Sequence, residues 1–340
     1  MPFEASEKRG SAAGSRPVIR SAVYRPIAGP CLKPWPEPAP TNTAFSKPGL
    51  GPILAGLHGG SVTEYSHSRL SSFENCPRQF KYRYVDQLKV ETEGVEAFMG
   101  KRVHEILERL YHHVERHQKP PSLAQVLDRF REDWERSWHD KILIVRSENP
   151  RAYYQERGAR CLENYYRTYY PFTNGRTVAL EAPLRLQLDT EGRYKLRGIV
   201  DRIVARAEGC FEIHDYKTGA FLPRQQSLDR DRQLALYQIG LEQTYPDVQE
   251  VELVWHYLIH NKTLRSRRST EALAELRRTT TELIDSIEAE SDYAARPGPL
   301  CRWCDYGSIC PDAPESVRSA QPERTEFAAR LAPEPEDFGR

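Results

Sequence analysis

Apolar residues recur with two different periods along the middle of this chain, and where the period changes marks the predicted elements. Between Ala97 and His117, Val103, Leu107, Leu110, Tyr111 and Val114 follow the three-to-four spacing of one helical face. Shorter helical segments precede it: one capped by Ser66 or Ser68, and one running from Pro77 to Tyr84. Further helices are predicted near 122–138 and 151–170. The period then drops to two, giving strands at about 177–188, 194–206 and 210–216, each bounded by glycine-containing turns. A helix from Asp229 to Tyr245, a strand from Val248 to Ile259, a turn at Asn261-Lys262 and a closing helix from Thr270 to Asp292 complete the pattern. Helices on both sides of a mixed sheet predict an α/β core with a helical insertion.

This patterning stops at both ends. Residues 1–60 hold ten prolines among scattered Gly, Ser and Ala, too little apolar surface to offset the entropy of ordering. They read as a disordered leader or an over-extended translation start. The Pro- and Glu-rich stretch 313–340 has the same character, with a short helix possible at Thr325–Leu331, so the expected folded unit is 61–312. A net charge of +1 leaves any basic surface local, with Arg265, Arg267, Arg268, Arg277 and Arg278 as candidates. No apolar run is long enough to span a membrane and no signal-peptide pattern opens the chain, which predicts a cytoplasmic protein.

The densest chemistry lies in Cys210-Phe-Glu-Ile-His-Asp215-Tyr-Lys217-Thr-Gly219. Alternation along a strand puts Phe211, Ile213, Asp215 and Lys217 on one face, so a carboxylate and an amine meet at the strand end. The preceding strand brings a second acid, Asp201. Two acids and a lysine on adjacent strands suit a divalent cation acting on phosphate. Seven cysteines are too few and too uneven for a disulfide scaffold, which raises metal ligation instead. Cys301, Cys304 and Cys310 form a compact thiolate nest among turn formers, and Cys76, followed by the helix-starting Pro77, is the best-placed fourth ligand. Cys31, Cys161 and Cys210 read as plain residues. Thiolates alone do not choose between tetrahedral zinc and an iron-sulfur cube.

Taken in order, Gly100-Lys-Arg-Val-His104, Glu181, Gly198-Ile-Val-Asp201-Arg202, Asp215-Tyr-Lys217-Thr-Gly219 and Gln233-Leu-Ala-Leu-Tyr237 resemble the PD-(D/E)XK nuclease superfamily, in its RecB-like branch. The segment Ser66–Tyr84 and the terminal cysteines are similar to its iron-sulfur members, the AddB nuclease domain and the CRISPR-associated RecB-like exonucleases. The resemblance spans 66–311 and implies a restriction-endonuclease-like core. It implies His104, Asp201, Asp215 and the Tyr216 carbonyl as ligands of Mg²⁺ or Mn²⁺, with Glu181 behind them. It implies Lys217 as the residue orienting the attacking water, and Gln233 and Tyr237 as hydrogen-bonding support. It implies a 4Fe-4S cluster on Cys76, Cys301, Cys304 and Cys310 that joins the two ends of the domain. The activity implied is DNA hydrolysis, as an exonuclease on single-stranded or frayed ends, in repair, recombination or CRISPR adaptation beside a helicase or adaptation proteins.

Plainer readings stand beside these. The tyrosines at 153, 154, 165, 166, 169 and 170 suit base stacking, but such stripes more often form core. Arginines 265–268 read as a solvated hairpin. A non-catalytic DNA-end binding subunit is the alternative function, though it would have no need to gather like charges. RNA as substrate is not distinguished from DNA by a site that reads phosphate.

Overall fold

The computed structural model describes residues 63–319; the leader 1–60 and the helix expected at Thr325–Leu331 lie outside the described residues. The order is β1 (Glu64–Tyr65), α1 (His67–Asn75), α2 (Pro77–Phe80), β2 (Glu93–Gly94), α3 (Val95–His117), α4 (Leu123–Ser137), β3 (Ile142–Leu143) and α5 (Arg151–Tyr169). There follow β4 (Arg176–Gln187), β5 (Lys195–Ala207), β6 (Cys210–Lys217), α6 (Gln225–Leu228), α7 (Gln233–Thr244), β7 (Glu250–Tyr257), β8 (Lys262–Ser266), α8 (Thr270–Glu288) and α9 (Glu315–Arg318). Local signals explain several boundaries. Ser66 accepts from the Arg69 N–H at 3.1 Å to cap α1, and Ser122 with Gln125 closes a capping box on α4. Asp231 caps the Gln233 N–H at 3.0 Å, which starts α7 four residues later than the apolar pattern predicts.

The sheet is mixed. β5 pairs antiparallel with β4 on one edge and with β6 on the other; β6 and β7 are parallel, joined by a crossover through α6 and α7; β7 and β8 form an antiparallel hairpin. Helices cover both faces. Leu70 and Phe73 of α1, the apolar α7, and Leu273, Ile284 and Ile287 of α8 pack with Val200, Ile213, Leu253 and Trp255 of the sheet. The helices α3, α4 and α5 form a second core around Phe98, Leu107, Phe130, Trp134, Leu162 and Tyr165, which reaches the sheet through Tyr216. This is the α/β architecture with a helical insertion expected from the sequence. Among the described residues no helix is long and apolar enough to cross a membrane.

Three local readings are corrected. The strand ending near Ile259 stops at Tyr257, and the residues after Asn261 form β8, because Asn261 adopts a left-handed φ of 48° and turns the chain back. The arginines beyond it are internally paired: Arg265 meets Glu212 at 2.9 Å as well as Glu252, Arg267 meets Glu250 and Glu252, and Arg268 donates to the carbonyls of Leu228 and Asp231. Arg277 and Arg278 are likewise engaged, with the Gln187 carbonyl and with Glu275 and Glu282. Finally, order continues past residue 312, where Val317 of α9 is buried against Gly307.

Candidate active site

The site forms where β5 and β6 part. Their ladder ends at Arg202 opposite His214, and beyond it the Tyr216 N–H donates to the Asp201 carboxylate at 2.7 Å instead of to a backbone carbonyl. β1 takes the same edge of β5 only at Lys195 and Leu196, so the strand edge around Asp201 is left open for side chains. From the far side α3 brings in His104, whose Nε2 donates to the Tyr216 carbonyl at 2.8 Å. That bond turns Nδ1 toward the acids, 3.5 Å from Asp201 and 3.7 Å from Glu181. The Tyr216 carbonyl, expected as a cation ligand, accepts this bond, which orients His104.

Glu181 is brought forward by its backbone. It lies between the β4–β5 pairs Leu180–Arg202 and Ala182–Val200, yet has a φ of 42°, which a non-glycine residue seldom adopts inside a strand. With His104 and Asp201 it forms a trio whose ligand atoms all lie within 4.8 Å of one another. Expected behind the ligands, Glu181 lies in the same cluster of candidate donors as His104 and Asp201. Nothing in the local sequence signals that backbone turn; the acid itself is the visible trace.

Asp215 and Lys217 meet as the alternation predicts. Lys217 Nζ donates to Asp215 Oδ1 at 3.0 Å and to Gln233 Oε1 at 2.9 Å, and Gln233 also reaches the Tyr237 hydroxyl. Asp215 Oδ2 lies 2.8 Å from Nζ but off the line of a hydrogen bond, leaving a buried carboxylate oxygen toward the open edge. Tyr237 lies flat on β5 because Gly198 beneath it has no side chain: a Cβ there would stand 2.3 Å from the ring. Gly198→Ala is therefore expected to cost about 1–3 kcal/mol of stability through overpacking. Thermal unfolding should show this cost shrinking when Tyr237→Ala is added, since the two changes share one contact. Gly100, one turn before His104, faces Thr218 Oγ1 at 3.1 Å from where its Cβ would be, so the loop after β6 closes onto α3 there.

The electrostatics are those of a cation site. Burial works against a charge on His104, but hydrogen bonding and charge from Asp201, then Glu181 and Asp215, override it and raise the imidazole to about 10. Burial raises the Asp215 carboxyl, helped by Asp201 and opposed by Lys217. Burial also opposes the Lys217 charge, yet Asp215, Asp201 and Asp231 hold its amine above its ordinary range. Two acids and an imidazole, clustered beside the buried carboxylate of Asp215, match the oxygen and nitrogen donors that divalent cations take.

Behind β6 lies a buried network the sequence reading did not reach. Glu212 and His214 alternate with Asp215 onto the opposite face, where His214 contacts Glu212 at 3.1 Å and His256 at 2.7 Å. Arg202 stacks 4.0 Å over Tyr111, and Tyr165 bonds Tyr111 at 2.6 Å. Tyr154, Tyr165 and Tyr166 are buried, whereas Tyr153 and Tyr170 are 45% and 58% exposed, so the tyrosine stripe is mainly core with an exposed rim.

A second cluster joins the chain ends. Cys76, capping α2, lines a cavity of about 300 Å³ with Cys301, Cys304 and Cys310. Each sulfur meets backbone N–H groups: Arg296 at Cys76 (3.5 Å), Gly298 at Cys301 (3.4 Å), Tyr306 at Cys304, and Asp312 with Ala313 at Cys310. Burial pushes the Cys304 thiol up to about 11. The sulfurs are spread around a space many times the roughly 30 Å³ of a water molecule.

No curated protein matches the chain at a significant level. Among solved structures, a provisionally named exonuclease from Eubacterium rectale is similar at 10% identity, over 76% of this chain and 92% of its own, with a TM-score of 0.42. The protein SSO0001 is similar at 14% identity, over 75% and 88%, with a TM-score of 0.35. The sequence model of the PD-(D/E)XK nuclease superfamily matches residues 64–311. With that match across most of its length, the chain belongs to the PD-(D/E)XK nuclease superfamily.

Proposed function

We propose that the protein is a divalent-cation-dependent deoxyribonuclease that digests DNA from ends, in repair, recombination or CRISPR adaptation, with any unwinding supplied by a helicase or adaptation partner. The observation that carries this reading is the convergence of His104, Glu181 and Asp201 within 4.8 Å, beside the Asp215–Lys217 pair. Those three side chains, with Asp215, are the residues that would hold Mg²⁺ or Mn²⁺. A bound cation there supplies Lewis-acid stabilisation of phosphate charge and makes a bound water more acidic. Lys217 stays protonated at neutral pH, so it acts as a donor that fixes a water or a phosphate oxygen and not as a general base. Gln233 holds the ammonium from the other side and Tyr237 supports Gln233. The four cysteines would hold a 4Fe-4S cluster with a structural role; that all four line one cavity, with N–H groups at the sulfurs, supports a shared thiolate site.

Incubating end-labelled single- and double-stranded DNA with Mn²⁺ tests the activity. Progressive shortening from an end, abolished by EDTA, is expected; binding without cleavage across several metals would leave the chain a DNA-end binding subunit.

The pH dependence of cation binding follows from His104. Its pKa is raised in the metal-free fold, so its stabilising contribution is full below about 6.5 and is lost as pH rises through about 10. Its proton must leave before Nδ1 can accept a cation, so Mn²⁺ affinity is expected to gain close to tenfold per pH unit between about pH 6.5 and 8.5. Titration calorimetry should show that slope, and His104→Gln should flatten it.

A further inference from the structure

Next to the site, along α3, runs a groove of about 170 Å³ lined by Glu96, Met99, Arg146, Tyr153, Arg157 and Trp303, and floored by Thr218, Gly219 and Ala220 directly after Lys217. Its walls come from three distant parts of the chain: α3, the α5 region and the cysteine segment. Two aromatic side chains on this one groove are open to solvent, Tyr153 at 45% and Trp303 at 41%, and Phe221, the next residue of the floor loop, is 78% exposed. The cations complement them. Arg146 sits 5.8 Å over the Trp303 ring, and Arg157 is fixed by one bond to the Thr218 carbonyl at 3.0 Å, with further guanidinium donors to offer. Glu96 is the single carboxylate among the groove's lining residues, against two guanidinium groups. Along the helix, Met99 and Glu96 lie five and eight residues before His104, roughly 7 and 12 Å at 1.5 Å per residue.

We propose that this groove carries an unpaired DNA strand into the cation site, its bases stacking on Tyr153 and Trp303 and its phosphates held by Arg146 and Arg157. The assignment rests on the nuclease reading. It commits to a single strand because base faces are open to aromatic side chains only when the duplex partner is gone. It also gives the cysteine segment a part in substrate binding: Trp303 lies between Cys301 and Cys304, so the feature that joins the chain ends also sets one wall of the groove.

The test measures binding of a fluorescein-labelled thymidine oligomer, and of a blunt duplex, with Ca²⁺ in place of Mn²⁺, together with KM and kcat for cleavage in Mn²⁺. Tyr153→Ala, Trp303→Ala and Arg146→Ala are each expected to weaken single-strand binding and raise KM by roughly fivefold to a hundredfold, the range of one lost stack, with kcat nearly unchanged. Trp303→Phe should restore affinity. Iron content checks that Trp303→Ala keeps its cysteine segment intact, and Tyr153 and Arg146 lie outside that segment. Wild-type cleavage with unchanged Kd and KM in Tyr153→Ala and Arg146→Ala overturns the groove and spares the nuclease reading. Equal weakening of the blunt duplex overturns the choice of an unpaired strand. A wild type that cleaves no DNA overturns the nuclease reading, and the binding measurements then decide the groove by themselves.

Discussion

Lys217→Ala is expected to slow DNA cleavage by roughly a hundredfold to a thousandfold, the loss that follows removal of one preorganised donor to transition-state charge, while DNA affinity should stay within about twofold. Lys217 has two partners on the protein, Asp215 and Gln233, and both hold its ammonium at the end of β6. Cutting the side chain back removes the donor without opening a core cavity, because the lysine side chain is 35% exposed. The fall should therefore appear in kcat with little change in unfolding temperature. Asp201→Asn is the contrast: it removes a member of the His104 trio and should abolish Mn²⁺ binding in calorimetry as well as cleavage. Equal cleavage rates for wild type, Lys217→Ala and Asp201→Asn would remove the site from this part of the fold altogether.

The second large effect is expected at Cys76. Cys76→Ser should lower the unfolding temperature by roughly 10–20 °C and bleach the brown colour expected of the protein. A cross-link closing a loop of some 200 residues stabilises by about 5 kcal/mol on chain-entropy grounds, and each kcal/mol moves the midpoint by about 2–4 °C for a domain of this size. A cluster held by Cys76 and the segment after α8 would close such a loop just as a disulfide does. Other ties across that junction are modest. Arg78 donates to the Tyr293 carbonyl at 3.0 Å and lies 3.7 Å from Asp312, and Tyr306 donates to the Leu88 carbonyl at 3.1 Å. The two part-buried hydrogen bonds contribute about 0.5–1.5 kcal/mol each and the surface ion pair about 0–1 kcal/mol. Scanning calorimetry with iron and sulfide analysis of anaerobically purified protein provides the check. A colourless protein with zinc would replace the cluster but keep the junction, whereas an unshifted midpoint in Cys76→Ser would dismiss both.

The residues of the candidate site differ in how far they could be read from the chain. Asp215 and Lys217 were legible because strand alternation is a local rule: two residues apart means the same face, and the 3.0 Å contact follows. Gly198 and Tyr237 were visible as a glycine and an aromatic residue, but only the crossover from β6 through α7 lays the ring on the strand. Glu181 was visible as an acid whose place depends on a left-handed backbone turn inside β4, which no neighbouring residue type predicts. The arginines after Asn261 lie on and just after the hairpin that the sequence suggests, but their ion pairs are not legible there, because a run of cations carries no record of the acids that a partner strand will bring. Glu212 and Glu252 arrive from β6 and β7, through pairings no local pattern reveals.

Periodicity and short-range spacing, set by the geometry of single helices and strands, were enough to establish a mixed α/β domain, its chemistry-bearing strand end and the four cysteines worth watching. The convergence of α3 with β4 and β5, the cavity that Cys76 shares with Cys301, Cys304 and Cys310, and the groove shared by Tyr153 and Trp303 all join residues dozens to hundreds of positions apart. Those distances are decided only when the two apolar cores pack against the sheet, since side chains far apart in the chain acquire a separation only from the burial that brings their elements together.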